Sequence, residues 1–160
     1  IRKVRKKMKL ELSWLNCIYF TLPLLAWNLI LGPKITDARI ISDEHSPKWL
    51  LMTENILRIF VFTLPLLIPL HLDDPIRNFG LVVYVAGTLV YFASWLPLIL
   101  VPQSAWSNSA AGLMAPRITP LLSFLGIAFI GESWLYGILC AIFIALHILH
   151  GFQNLSGSQQ

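Results

Sequence analysis

The sequence predicts an all-α protein, a polytopic bundle of about five transmembrane helices. Hydrophobic residues make up 56% of the 160 positions and charged residues only 12%. Soluble domains have about 45–50% apolar and about 25% charged residues. The mean hydropathy of +0.69 agrees with this difference. The apolar residues also form runs of the length at which a helix crosses a bilayer, about 20 residues. Because lipid offers the backbone no hydrogen-bond partner, these runs are expected to be helical.

Four runs meet this length test. They cover residues 12–31, 49–72, 79–101 and 134–152. The stretches between them are polar. Residues 32–48 carry seven charged or imidazole side chains, whereas residues 73–78 and 131–133 are typical of short turns. These connections are expected to lie in water at the ends of the spans.

The fifth predicted span is interrupted by proline. Residues 118–131 are apolar, but fourteen residues are too few to cross a bilayer upright. Extension back to residue 110 reaches the required length and brings in Pro116, Arg117 and Pro120. We expect one proline-broken span over residues 110–131. A re-entrant hairpin, which gives four spans plus a re-entrant segment, is the alternative.

Both ends of the chain are predicted to flank the bundle, which covers residues 12–152. Residues 1–11 form a basic tail, in which six of the first nine positions are Lys or Arg, and residues 153–160 form a polar tail. Positively charged segments favour the cytoplasmic side, so we expect a cytoplasmic N-terminus that contacts anionic membrane lipids. Because a hydrophobic run follows the basic tail directly, we do not interpret this tail as a nucleic-acid site.

The second span contains the most prominent polar group, formed by Glu54, Asn55 and Arg58. Glu54 and Arg58 are four residues apart and share one face of a helix, where they can pair. Ionisable side chains within a span usually face the interior and are candidates for function. We therefore predict a catalytic acid–base role for Glu54 and a ligand-binding role for Asn55 and Arg58. The alternative is an interfacial ion pair that only orients the helix.

The loop before this span supplies two further candidates. Asp43 and His45 lie in an acidic, imidazole-containing run. An imidazole is suited to proton transfer near neutral pH, so His45 is a catalytic candidate and Asp43 a ligand-binding one. The alternative is that this run only leads into the helix, with Pro47 at its first turn.

Two histidines three residues apart, His147 and His150, lie on one face of the last span. Such a pair can ligate a metal ion or haem iron. No cysteine or carboxylate is spaced with them, so the alternative is that they are interfacial residues at a helix end. No cofactor follows from the sequence.

Trp106 and Asn108, in the polar run before the fifth span, and Arg117 within it are further candidates for ligand binding. With five spans, all these candidates lie near the bundle end opposite the N-terminus. We therefore expect a polar pocket near the non-cytoplasmic leaflet, which binds a lipid-like amphipathic molecule. Whether the protein also acts on this molecule as an enzyme stays open. The alternative is a non-catalytic subunit whose partners are other membrane proteins.

Overall fold

The computed structural model describes residues 15–35, 46–70 and 74–157, and the chain is largely helical within these ranges. Among the described residues the only β-type pairing is one antiparallel bridge, between Asn16 and Pro69. Short 3₁₀ turns extend the first helix over Gly32–Lys34 and the second over Leu64–Leu67. The α-helices are α1 (Ile18–Leu31), α2 (Lys48–Thr63), α3 (Pro75–Leu100), α4 (Ala110–Ile118), α5 (Pro120–Ile130) and α6 (Trp134–Gly157). The predicted all-α bundle is therefore confirmed.

Four helical segments are long and apolar enough to cross a membrane. They are Lys48–Leu67, Pro75–Leu100, Ala110–Ile130 and Trp134–Ser156, with lengths of 20 to 26 residues. Each of them overlaps one of the predicted spans. Many large apolar side chains on these helices are exposed, and an extended apolar surface of this kind marks contact with lipid or with other proteins.

The first predicted span, over residues 12–31, contains a shorter helix than the sequence suggested. Helix α1 has 14 residues and begins only at Ile18. The backbone just before it pairs with the segment that follows α2: Cys17 N donates to Ile68 O (2.9 Å) and Leu70 N donates to Leu15 O (3.0 Å). This pairing occupies backbone groups that a longer helix would need. Residues 12–14 lie outside the described ranges.

The predicted proline-broken span is present as α4 and α5, which together make 21 residues. Pro120 has no N–H to donate to the preceding turn, and this interrupts the helix. In that turn the Thr119 hydroxyl donates to the Ala115 carbonyl (2.8 Å). Because α5 starts at Pro120, directly after the break, the described chain follows the broken helix and not a re-entrant hairpin.

Some element boundaries differ from the sequence prediction. Helix α3 begins at Pro75, inside the predicted turn 73–78, because the Asp74 carboxylate caps it by accepting from Ile76 N (2.8 Å). Helix α6 continues through Gly157, so the described part of the predicted C-terminal tail is helical. The predicted N-terminal tail, residues 1–11, lies outside the described residues.

Helices α3 and α5 pack closely through glycines. A Cβ built on Gly87 would lie 2.6 Å from Ser123 N, and one built on Gly126 would lie 2.5 Å from Tyr84 N. Small residues at such crossings let two helix backbones approach. Beside the contact, the Thr88 and Ser123 hydroxyls are 3.2 Å apart and hydrogen-bonded. This pair of helices forms one closely packed wall of the bundle.

The helices alternate in direction and give the bundle two ends. The turn end consists of residues 15–17, 68–70, 74–77 and 131–133, where Arg77 Nε pairs with Glu132 Oε1 at 2.8 Å. The loop end consists of residues 32–35, 46–47, 101–109 and 154–157. There the Ser46 hydroxyl donates to Asn154 Oδ1 (3.0 Å). The functional candidates of α2, α4 and α6 lie between the middle of the bundle and this loop end.

Candidate functional site

A buried carboxylate joins helices α2 and α6. Glu54 Oε1 lies 2.9 Å from His147 Nδ1, and Glu54 Oε2 lies 2.7 Å from His150 Nδ1. The Arg58 guanidinium also pairs with Glu54 Oε1. We call these four residues the Glu54 cluster. One carboxylate thus holds two imidazoles and one guanidinium, which come from two helices distant in sequence.

The local geometry of each helix presents these groups on one face. Positions three and four apart lie over one another on a helix, which explains the His147–His150 and the Glu54–Arg58 spacings. The two helices then run antiparallel in a fixed register. Ser46 meets Asn154 at the loop end, and nearer the turn end the Tyr136 hydroxyl donates to Val61 O (3.1 Å). Glu54 and the histidines lie between these two contacts.

Burial and charge explain why the cluster holds together. Glu54 is only 1% exposed, whereas the Arg58 side chain is 47% exposed. Taking an isolated carboxylate out of water costs several kcal/mol, and good geometry with several hydrogen bonds offsets that cost. Three nitrogen donors around two oxygens provide such bonds. The half-exposed Arg58 adds a neutralising positive charge.

The acceptor character of the carboxylate also sets the histidine tautomer. In a neutral imidazole one nitrogen donates and the other accepts. Because Glu54 accepts at both oxygens, the Nδ1 atoms of His147 and His150 are the donors. In the neutral form of each ring, Nε2 is then the acceptor. His147 also stacks on Phe143, with ring centroids 5.6 Å apart. The His147 ring is therefore fixed both by a hydrogen bond and by packing.

A central cavity of about 560 Å³ lies beside the cluster and touches all six helices. This volume falls within the range of small-molecule sites, about 300–1,000 Å³. Most of its lining is apolar, and the polar side chains in it are few: Asn28, Arg58, Tyr91, Arg117 and His147. Apolar walls with a few converging polar groups are typical of ligand sites.

The mouth of the cavity lies between α1 and α2. Four lining residues are exposed, namely Leu25, Leu29, Arg58 and Ile59, and all four belong to these two helices. The lining residues on α3 to α6 are buried or partly buried. The opening is therefore on the side of the bundle and not at its tip.

Arg117 is the most buried cation of the lining, at 8% exposure. Its side chain lies against Gly151 of α6, where a Cβ would come within 2.6 Å of Nη1. A glycine directly after His150 thus makes room for a guanidinium beside the Glu54 cluster. Arg58 and Arg117 bring two positive charges to one cavity that is otherwise mostly apolar.

Tyr91 and Asn28 form a polar contact across the cavity wall. The Tyr91 hydroxyl donates to Asn28 Oδ1 (2.7 Å), which ties α1 to α3. The Asn28 amide donates in turn to Leu24 O (3.0 Å). Neither residue was predicted from the sequence, although an amide inside an apolar run is a recognisable signal. Trp95, also on α3, lines the cavity as well.

The remaining predicted site residues lie elsewhere. Asn55 is exposed on α2 and Trp106 is half-exposed in the loop before α4. The Asn108 amide closes that loop by donating to Ser104 O (3.0 Å). None of these three is among the described residues that line the cavity. Asp43 and His45 lie outside the described ranges.

The arrangement can hold an ion or a polar headgroup. Of the Glu54 cluster, His147 and Arg58 line the cavity, whereas Glu54 and His150 do not. Glu54, His147 and His150 each offer a ligand atom within 4.8 Å of the others, as metal ligands do.

The chain matches no family model, and no curated protein or solved structure is significantly similar to it.

Proposed function

We propose that this protein binds an amphipathic, lipid-like molecule with an anionic headgroup in the central cavity. The observation that carries the proposal is the pairing of two arginines with apolar walls in one cavity of about 560 Å³. Arginine stays charged at any ordinary pH and offers a planar fork of donors to carboxylate or phosphate. The apolar lining around Leu24, Phe62 and Phe124 suits an alkyl chain.

The position of the mouth supports a ligand that comes from lipid. A molecule dissolved in the bilayer reaches the side of a helical bundle without entering water. The exposed lining residues Leu29 and Ile59 lie on the side that faces such a molecule, and Arg58 lies beside them. We expect the headgroup to contact Arg58 and Arg117 and the tail to extend between α1 and α2.

Binding of a fluorescent long-chain carboxylate and of its methyl ester to the purified protein in nanodiscs tests this proposal. The two probes differ only in charge. Hydrogen bonds to charged groups contribute about 1.5–3 kcal/mol, so we expect the carboxylate to bind at least about tenfold more tightly. Arg117→Gln should remove most of this preference. Arg77→Gln, which changes the ion pair at the turn end, should leave it intact.

Equal affinity for the carboxylate and the ester would contradict the proposal on the wild-type protein alone. The test therefore does not depend on whether the Arg117→Gln variant folds. Elution volume and thermal unfolding of Arg117→Gln show whether the variant is comparable with the wild type.

We further propose that the chain crosses the membrane several times with its turn end in the cytoplasm. The described chain starts at the turn end, and the six basic residues precede it within 15 positions. The positive-inside rule then favours this end as cytoplasmic. Cysteines introduced at Asn78 and Gln103 should differ in labelling of intact cells by an impermeant maleimide. Labelling of N78C instead of Q103C would reverse the orientation.

A further inference from the structure

The Glu54 cluster has the composition of a metal-binding site. We propose that Glu54, His147 and His150 bind one divalent transition-metal ion between α2 and α6. Their ligand atoms lie within 4.8 Å of one another. Two imidazole nitrogens and one carboxylate oxygen form a ligand set that zinc uses in sites with an open coordination position. The inference does not depend on what the central cavity binds.

The three ligand atoms lie close to the spacing that an ion needs. With metal–ligand bonds of about 2.0–2.1 Å, tetrahedral ligand atoms lie about 3.3 Å apart. The observed separations from the carboxylate oxygens are 2.9 Å to His147 Nδ1 and 2.7 Å to His150 Nδ1. These two contacts go to different oxygens of the carboxylate and need to open by about half an ångström. The three ligand atoms lie within 4.8 Å of one another, so the widest separation closes by at most about 1.5 Å to reach the tetrahedral spacing. The ion takes the place of the two Nδ1 protons, and each neutral ring then carries its proton on Nε2.

The Arg58 guanidinium is compatible with this arrangement. It pairs with Glu54 Oε1, whereas Oε2 faces His150. A carboxylate that binds the ion through Oε2 keeps Oε1 for Arg58, which then orients the ligand from the outer shell. The Arg58 side chain is 47% exposed, so it has room to move when the ion binds.

The ligand chemistry selects the class of ion. Imidazole nitrogens suit zinc, copper, iron and nickel, whereas magnesium and calcium prefer oxygen ligands. Three protein ligands leave at least one position for water or an anion. His147 reaches the central cavity, so we expect the open position on that side of the ion.

Zinc binding to chelator-treated, full-length protein in detergent tests this inference. We expect about one Zn²⁺ per chain, measured by competition with a chromophoric chelator and by elemental analysis. His147→Ala, His150→Ala and Glu54→Gln should each weaken binding by at least about tenfold. Glu132→Gln is the matched control for the carboxylate, because Glu132 lies at the turn end. This control should bind like the wild type.

Cobalt gives a second readout that needs no variant. Co²⁺ bound by two imidazoles and one carboxylate in a four-coordinate site absorbs visible light much more strongly than the hydrated ion does. A wild-type protein that binds neither stoichiometric Zn²⁺ nor Co²⁺ with this absorption would overturn the proposal. Equal zinc binding by the His147→Ala/His150→Ala double variant would overturn it as well. The carboxylate–ester comparison is a separate experiment, so failure of one proposal does not conceal failure of the other.

Discussion

Gly151 of α6 lies directly against the side chain of Arg117 of α4, and a Cβ at position 151 would lie 2.6 Å from Nη1 and 2.8 Å from Cδ. The guanidinium occupies space that a side chain at residue 151 would take. A flexible arginine can move away from an added methyl group. The geometry thus makes Gly151 a positioning residue for Arg117.

Gly151→Ala should displace Arg117 and weaken binding of the long-chain carboxylate by several-fold, with little change in thermal stability. Gly137→Ala on the same helix is the matched control, because its Cβ would meet only the Ala128 side chain, at 3.4 Å. Titration of both variants with the carboxylate and its ester checks the prediction. Unchanged carboxylate affinity in Gly151→Ala would show that the position of Arg117 does not matter.

The close contact between α3 and α5 should tolerate no added methyl group. Gly87→Ala brings a Cβ within 2.6 Å of backbone, at Ser123 N, and backbone cannot rotate away as a side chain can. Overpacking of this kind typically costs about 1–3 kcal/mol. Thermal unfolding in detergent should therefore show a clear loss for Gly87→Ala. Gly32→Ala, with nothing within 4 Å of its Cβ, should unfold like the wild type, and equal behaviour of the two variants would contradict the packing.

The Tyr91–Asn28 hydrogen bond should contribute a small coupling free energy between α1 and α3. Such bonds in membrane proteins average about 0.6 kcal/mol in double-mutant cycles. The cycle consists of Tyr91→Phe, Asn28→Leu and the double variant, and it is its own control. Additive losses in the free energy of unfolding would show that the two groups do not interact.

Access through the mouth between α1 and α2 should depend on Leu29 and Ile59. Both side chains are exposed and line the cavity. Ile59→Trp adds bulk at the opening, so we expect slower association of the long-chain carboxylate in stopped-flow measurements. Ile138→Trp changes an exposed residue of α6 that is outside the lining. If the carboxylate associates with Ile59→Trp and Ile138→Trp at the same rate, the entrance is not between α1 and α2.

The sequence predicted which residues of this site share one helix face. It did not predict which residues contact each other across two helices. The spacing of Glu54 and Arg58, and that of His147 and His150, follows from helical periodicity, so each pair could be assigned to one face. The periodicity of a single helix gives no information on the register between two helices. The contact of Glu54 with both histidines depends on that register, which the Ser46–Asn154 bond helps to fix.

Of the remaining features, some were predictable from the sequence and others depended on tertiary structure. Span lengths identified the four long helices, because the hydrocarbon thickness requires a minimum number of apolar residues. The shorter α1 was not predictable from apolar composition, since its start is set by backbone pairing around Asn16 and Pro69. Trp106 and Asn108 belong to the polar loop that the sequence indicated, but the Asn108 amide is used within that loop.

Photo-crosslinking tests the ligand proposal most directly. A long-chain carboxylate with a diazirine near the end of its tail is bound to the protein in nanodiscs and irradiated. Peptide mass spectrometry then locates the crosslinks. We predict labels on cavity residues such as Phe62 and Phe124, which excess unlabelled carboxylate suppresses and excess methyl ester does not. Labels confined to outward-facing residues such as Leu135 and Ile138, insensitive to competition, would contradict a ligand-binding cavity in this protein.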